Sequence, residues 1–126
     1  MANPDDRAKI LIVDDEIEFC FLLQKYLKDK YRIQVAHEGQ EGLRQIRKFQ
    51  PDCLLLDIRM PNLNGKAVLE SLKDSGSDMK VLIVTGSGVM TEIKECLDLG
   101  AVDYILKPID LGELENKIES ILGTTH

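Results

Sequence analysis

The sequence predicts an α/β fold, a doubly wound parallel sheet with helices on both faces, and three observations carry that expectation. Five short runs rich in leucine or β-branched residues alternate with longer stretches of helical period, the pattern of βαβ units. Two of these runs, Ile10-Leu11-Ile12-Val13 and Cys53-Leu54-Leu55-Leu56, end in acids, Asp14-Asp15 and Asp57. Carboxylates from two strand ends converge only if the strands lie parallel and adjacent. Finally, 126 residues fit one domain, and a chain of this size buries roughly two-thirds of its unfolded surface, so neither a disulfide nor a metal is needed to hold the core.

The first apolar run places a strand near 9–13, and a helix is expected over about 16–28. A second strand near 31–36 and a helix near 39–48 follow. The third strand, 53–57, runs into Met60-Pro61-Asn62-Leu63-Asn64-Gly65, which is turn chemistry, and then into a helix over 65–73. The fourth strand, 80–84, ends at Thr85 and precedes a helix over 89–98, with Gly100 just beyond as its stop. The fifth, 102–106, ends at Lys107-Pro108. The last helix, 111–122, is the clearest, because Leu111, Leu114, Ile118 and Ile121 recur at spacings of three and four while Glu113, Lys117 and Glu119 face water; Gly123 ends it. Residues 1–7 read as a frayed polar lead-in and 124–126 as a short tail. Doubly wound sheets carry ligands beyond the carboxyl ends of their strands, where all these chemical residues lie.

A formal charge of -6 disfavours nonspecific nucleic-acid binding, since there is no excess of lysine and arginine to displace counterions, and proteins are the expected partners. Cys20, Cys53 and Cys96 are odd in number and widely spaced in apolar or helical context, which favours buried reduced thiols over a bridge or a zinc site. With no signal peptide and no membrane-length apolar run, a cytoplasmic protein without membrane insertion is expected.

Taken singly, Asp14, Asp15 and Asp57 read as capping or turn acids. Three carboxylates near one point change the weighing, because their repulsion is costly unless a cation joins them. An all-oxygen set suits Mg2+, or Mn2+, better than zinc. Thr85, followed by Gly86-Ser87-Gly88, offers a hydroxyl and backbone N–H groups that suit a phosphoryl oxygen. Lys107 adds a cationic contact for an anion. Tyr104, by default an amphipathic core aromatic, draws notice only through its place three residues before Lys107.

Asp14-Asp15, Asp57, Thr85, Tyr104 and Lys107-Pro108, in this order and at these spacings, resemble the receiver domains of bacterial two-component response regulators, including the chemotaxis regulators. The resemblance runs from about Lys9 to Leu122 and implies one receiver domain over 1–126, with a core of about 9–122 and flavodoxin-like strand order 2-1-3-4-5. It implies Asp57 as phosphate acceptor, and Asp15, Asp57 and the Arg59 main-chain carbonyl as magnesium ligands, with Asp14 acting through water. Thr85 and Lys107 are implied as phosphoryl contacts, Thr85 and Tyr104 as a coupled switch, and the Lys107-Pro108 peptide as cis. Departures are small: Asn62-Leu63-Asn64-Gly65 lacks the acid often found before the glycine, and Gly86 stands where alanine is common. Arg59 and Ser87 occupy positions that in this family tune phosphate lifetime. The last segments lack the arginine-rich pattern of the branch that dimerises through them before binding DNA.

The implied function is a phosphorylation-dependent switch that takes a phosphoryl group from a histidine kinase or a histidine phosphotransfer protein. Such a domain catalyses its own aspartyl phosphorylation and dephosphorylation. Because few residues follow Leu122, the output is expected on the receiver's own 89–122 face around Tyr104, flanked by Lys94, Asp98, Glu113 and Lys117, with a downstream protein as target. The rival from another class is a magnesium-dependent phosphatase with an aspartyl nucleophile. That rival wants a second acid two residues beyond the nucleophile, where Arg59 stands, and an acidic pair late in the chain. A flavin or nucleotide binder would want a Gly-rich loop after the first strand, where Asp14-Asp15-Glu16 repels phosphate.

Overall fold

The computed structural model describes residues 6–123. Five strands and five helices alternate: β1 (Lys9–Val13), α1 (Ile17–Leu27), β2 (Arg32–Ala36), α2 (Gly39–Phe49), β3 (Cys53–Leu56), α3 (Gly65–Asp74), β4 (Lys80–Thr85), α4 (Met90–Asp98), β5 (Asp103–Leu106) and α5 (Leu111–Leu122). Every pairing is parallel, in the order β2-β1-β3-β4-β5. The expected doubly wound sheet of order 2-1-3-4-5 is therefore the fold observed. Boundaries move by a residue: Asp57 stands just past β3, and Thr85 is the last residue of β4.

The apolar runs form the middle layer because both faces of the sheet are covered. Side chains alternate across a strand, so Leu11, Val13, Leu54, Leu56, Val81 and Ile83 pack on one face with Val68, Leu69 and Leu72 of α3 and Ile93 and Cys96 of α4. Ile10, Ile12, Leu55, Leu82, Val84 and Ile105 turn the other way, onto Cys20, Leu23 and Leu27 of α1 and Leu114 and Ile118 of α5. Each fully buried leucine or isoleucine contributes about 1.5–3 kcal/mol. This two-sided burial is why the strands read as continuous apolar runs and not as alternations.

Local chemistry ends the helices where the sequence suggests. Asn64 and Asp110 cap α3 and α5 by accepting from the N–H groups of Ala67 at 2.9 Å and Glu113 at 3.1 Å. Gly123 takes the left-handed conformation (φ 65°) that closes α5. The three cysteines are free and buried, and desolvation pushes the Cys20 and Cys53 thiols up to about 12 and Cys96 to about 11. No described helix is long and apolar enough to cross a membrane. Arg7 departs from the frayed lead-in expected of 1–7: its guanidinium donates to the Lys28 carbonyl at 2.8 Å, tying it to the end of α1. Residues 1–5 of that lead-in, and the 124–126 tail, lie outside the described residues.

Candidate functional site

Strand register brings the acids together. Val13 pairs with Leu56, so the residue after each, Asp14 and Asp57, emerges side by side at the carboxyl edge. The ladder continues one step beyond the strands: the Asp14 N–H donates to Ala36 O at 3.0 Å, Asp57 N–H to Val13 O at 3.0 Å and Lys107 N–H to Thr85 O at 2.8 Å. Backbone hydrogen bonds thus fix the origins of Asp14, Asp57, Thr85 and Lys107. Gly65 lets the acceptor loop close on this edge, since a Cβ there would lie 2.2 Å from the Asp57 carbonyl oxygen.

Lys107 is the centre of the cluster. Its ammonium donates to Asp14 Oδ2 at 2.8 Å and to Glu16 Oε1, lies 3.7 Å from Asp57 Oδ2, and sits 4.3 Å from the centroid of the Phe19 ring. Asp14 and Asp57 are buried, and Lys107 is only 12% exposed. Asp14 also accepts from the Glu16 N–H at 2.9 Å, while Asp57 accepts from the Arg59 N–H at 3.4 Å and has the fully buried Thr85 hydroxyl beside it.

Burial sets the electrostatics. Desolvation holds both the Asp57 and Asp14 carboxyls above the ordinary carboxylate value. For Asp57 the Lys107 charge, the Thr85 hydroxyl and the Arg59 N–H oppose that rise, while Asp15 reinforces it. For Asp14 the bonds to Lys107 and the Glu16 N–H oppose it, and Asp57 reinforces it. Burial works to lower Lys107, but its hydrogen bonds to Asp14 and Glu16 and the charges of Asp14 and Asp57 leave it raised.

Asp14, Glu16 and Asp57 each offer a carboxylate oxygen within 4.8 Å of the others, an all-oxygen set that suits a hard divalent cation. Asp15, expected among the ligands, is exposed and outside this trio; its influence on Asp57 is exerted through its charge. In the sequence Glu16 stands out only as a charge repelling phosphate; its side chain, one methylene longer, is what reaches Lys107. Tyr104 is half-buried and packs on the α3–α4 face. Ile83 and Thr85 alternate onto that face, and Tyr104 pairs with Ile83, so Tyr104 and Thr85 are diagonal neighbours on it. The Lys107-Pro108 peptide is cis. Arg59 directs its guanidinium to Glu92, so no acid stands where an aspartyl-nucleophile phosphatase would hold its proton donor. Neither Glu16 nor Glu92 carried a signal in the sequence beyond its charge.

Residues 10–119 match the response regulator receiver domain family. Over 122 residues the chain is 36% identical to the transcriptional regulatory protein ZraR of Escherichia coli K12, covering 96% of this chain and 28% of that protein. Over 119 residues it is 36% identical to the response regulator MprA of Mycobacterium ulcerans, covering 94% of this chain and 51% of that protein. The chain thus spans about a quarter to a half of these relatives. A CheY-like receiver domain protein from Methanospirillum hungatei superposes with a TM-score of 0.88 at 30% identity, covering 94% of this chain and 95% of that one. The chemotaxis protein CheY4 of Vibrio cholerae superposes with a TM-score of 0.85 at 25% identity, over 92% and 99% of the two chains.

Proposed function

This chain belongs to the response regulator receiver domain family, whose members are phosphorylation-dependent signalling switches, and from that premise we propose that Asp57 is its phosphate acceptor. The carrying observation is the Lys107 ammonium, anchored on Asp14 at 2.8 Å and 3.7 Å from Asp57 Oδ2, with the buried Thr85 hydroxyl beside that carboxylate. A phosphoryl group on that carboxylate meets one fixed cation and one fixed hydroxyl.

In the reaction, an Asp57 carboxylate oxygen attacks the phosphorus of a phosphohistidine on a histidine kinase or phosphotransfer protein. The P–N bond breaks and the electron pair leaves with the imidazole. Hydrolysis later returns inorganic phosphate and free Asp57. Little covalent help is needed, because in-line positioning and neutralisation of the equatorial oxygens do most of the work, which suits a site of Lys107 and Thr85 without a general base. Asp15, Asp57 and the Arg59 main-chain carbonyl would hold Mg2+ or Mn2+, with Asp14 through water. The ion supplies further neutralisation of phosphoryl charge.

Moving a switch from 1:99 to 99:1 takes about 5.5 kcal/mol of differential stabilisation, and charge-assisted hydrogen bonds contribute about 1.5–3 kcal/mol each. Two or three phosphoryl contacts reach that scale. Thr85, drawn to the phosphoryl group, leaves room that its diagonal neighbour Tyr104 fills, and the 89–122 face changes for a downstream protein. Exposed Met90, Leu97, Val102 and Leu106 give that face apolar contact area. The single receiver domain over 1–126 belongs to the same proposal.

Incubation with acetyl phosphate and magnesium should add the mass of one phosphoryl group, and a protein that stays unmodified overturns the assignment. Magnesium should also raise the melting temperature, by mass action on the folded state, with about 2.7 kcal/mol gained at a hundredfold excess over Kd. Asp15→Asn should lose most of that rise. If Glu16→Gln loses it instead, the ligand is Glu16, as the trio of oxygens around Lys107 suggests. Thr85→Ala should still take the phosphoryl group, yet the amide-exchange change that beryllofluoride induces over residues 86–106 should be much smaller than in the parent. An undiminished change would mean that the signal leaves the site without Thr85.

A further inference from the structure

Outside the acid and lysine cluster, two loops meet on one carboxylate oxygen of α4. Glu92 Oε1 accepts from Arg59 Nε at 3.3 Å, from Arg59 Nη2 at 3.1 Å and from the Ser87 hydroxyl at 2.7 Å. The Ser87 N–H donates to Thr85 Oγ1 at 3.2 Å, and the Val89 N–H to Ser87 Oγ at 3.4 Å. The Arg59 N–H donates to Asp57 at 3.4 Å, and the Thr85 hydroxyl stands beside that carboxyl. The contacts therefore run in one path, from Asp57 through Arg59, Glu92 and Ser87 to Thr85. Unlike α3 and α5, α4 has no capping side chain at its start, so these contacts do the holding there.

An acid in the first turn of a helix is ordinarily explained by the helix dipole. That account asks for no partner, whereas Glu92 gathers three donors from the two loops that follow Asp57 and Thr85. Resting on Asp57 as the acceptor, we propose that Arg59 serves two anions in turn, Glu92 before phosphorylation and the phosphoryl group after it, so that modification releases the first turn of α4. Glu92 is then a positioning residue for the switch and takes no part in the chemistry. A phosphoryl group brings a charge of about -1.5 to -2 and three acceptor oxygens to the residue next but one to Arg59. The guanidinium fork matches such a group in two-pronged geometry, while Glu92 presents it with a single oxygen already shared with Ser87. The Arg59 side chain is 63% exposed and has room to swing. Its departure removes two of the three donors on Glu92, and movement of Thr85 toward the phosphoryl group draws Ser87 away as the third.

The test is amide exchange of residues 89–93 in the parent and in Glu92→Gln, each with and without beryllofluoride and magnesium. Exchange reports local opening of that turn. The expected result is that beryllofluoride speeds exchange severalfold in the parent, that Glu92→Gln is already fast without it, and that parent and variant coincide once it is bound. Arg59→Gln without beryllofluoride should match Glu92→Gln, and the double variant should be no faster than either. A pure dipole role for Glu92 would instead make the variant faster by the same factor in both states, which overturns the proposal. So would unchanged exchange in Glu92→Gln. Intact mass after acetyl phosphate keeps the two readings apart: normal labelling of parent and variant with unchanged exchange overturns the release of α4 alone, while an unlabelled parent overturns Asp57 as acceptor.

Discussion

Asp57→Asn is expected to abolish the mass gain from acetyl phosphate and magnesium completely. Asparagine keeps the shape and the hydrogen bond from the Arg59 N–H, but its amide cannot attack phosphorus as a carboxylate does. Asp14 and Glu16 are also carboxylates near Lys107, yet Asp14 is spent on Lys107 and the Glu16 N–H, and Glu16 on Lys107. Full labelling of the variant would move the acceptor to one of them. The same substitution should stabilise the protein in the absence of divalent ions, because a carboxylate whose burial strips it of water, an effect Lys107 only partly offsets, becomes neutral. A gain of about 1 kcal/mol would appear as a few degrees in melting temperature. The sign with pH follows from the raised Asp57 value: between the ordinary 3.8 and the folded value, the native state binds protons that the unfolded chain has released. Parent stability therefore falls as pH rises through that window, relative to the variant. The advantage of Asp57→Asn should be full at neutral pH and vanish as pH drops below 3.8. Melting curves of both proteins in chelator across this range check it, and an advantage that grows in acid would contradict the burial argument.

Lys107→Met should carry the largest stability cost of any change at the site. The Asp14 side chain is 3% exposed and Lys107 12%, so the pair is a buried ion pair, and removing one partner strands the other. Such breakage costs about 3–5 kcal/mol, against about 0–1 kcal/mol for a surface pair. Urea unfolding at neutral pH should show the loss. Asp14→Asn in the Lys107→Met background should return much of it, since no buried charge is then left alone. A loss below about 1 kcal/mol would mean that Asp14 finds water or protonates at little cost. Labelling should also slow by roughly 10- to 100-fold, the rate equivalent of one charge-assisted contact of about 1.5–3 kcal/mol.

What the sequence determined by itself is the architecture and the origins of the site. Runs such as Cys53-Leu54-Leu55-Leu56 record burial on both faces of a sheet, the periodicity of 111–122 records one buried helix face, and a polar residue ending each run marks the strand end where Asp14, Asp57, Thr85 and Lys107 emerge. Those are local properties, set by each residue's own burial and by the pitch of its element. The tertiary structure alone decided which charges meet. Glu16 joins Lys107 while Asp15 faces solvent, although both follow Asp14 in the same loop, because side-chain length and backbone direction select the partner. Glu92 reaches Arg59 across 33 positions of chain only because β3 and β4 are neighbours and α4 packs over them, a contact with no periodicity to announce it. Hydrophobic burial writes a repeating pattern into a sequence, whereas a single charge pair between distant loops depends on register and rotamer, which appear only once the chain has folded.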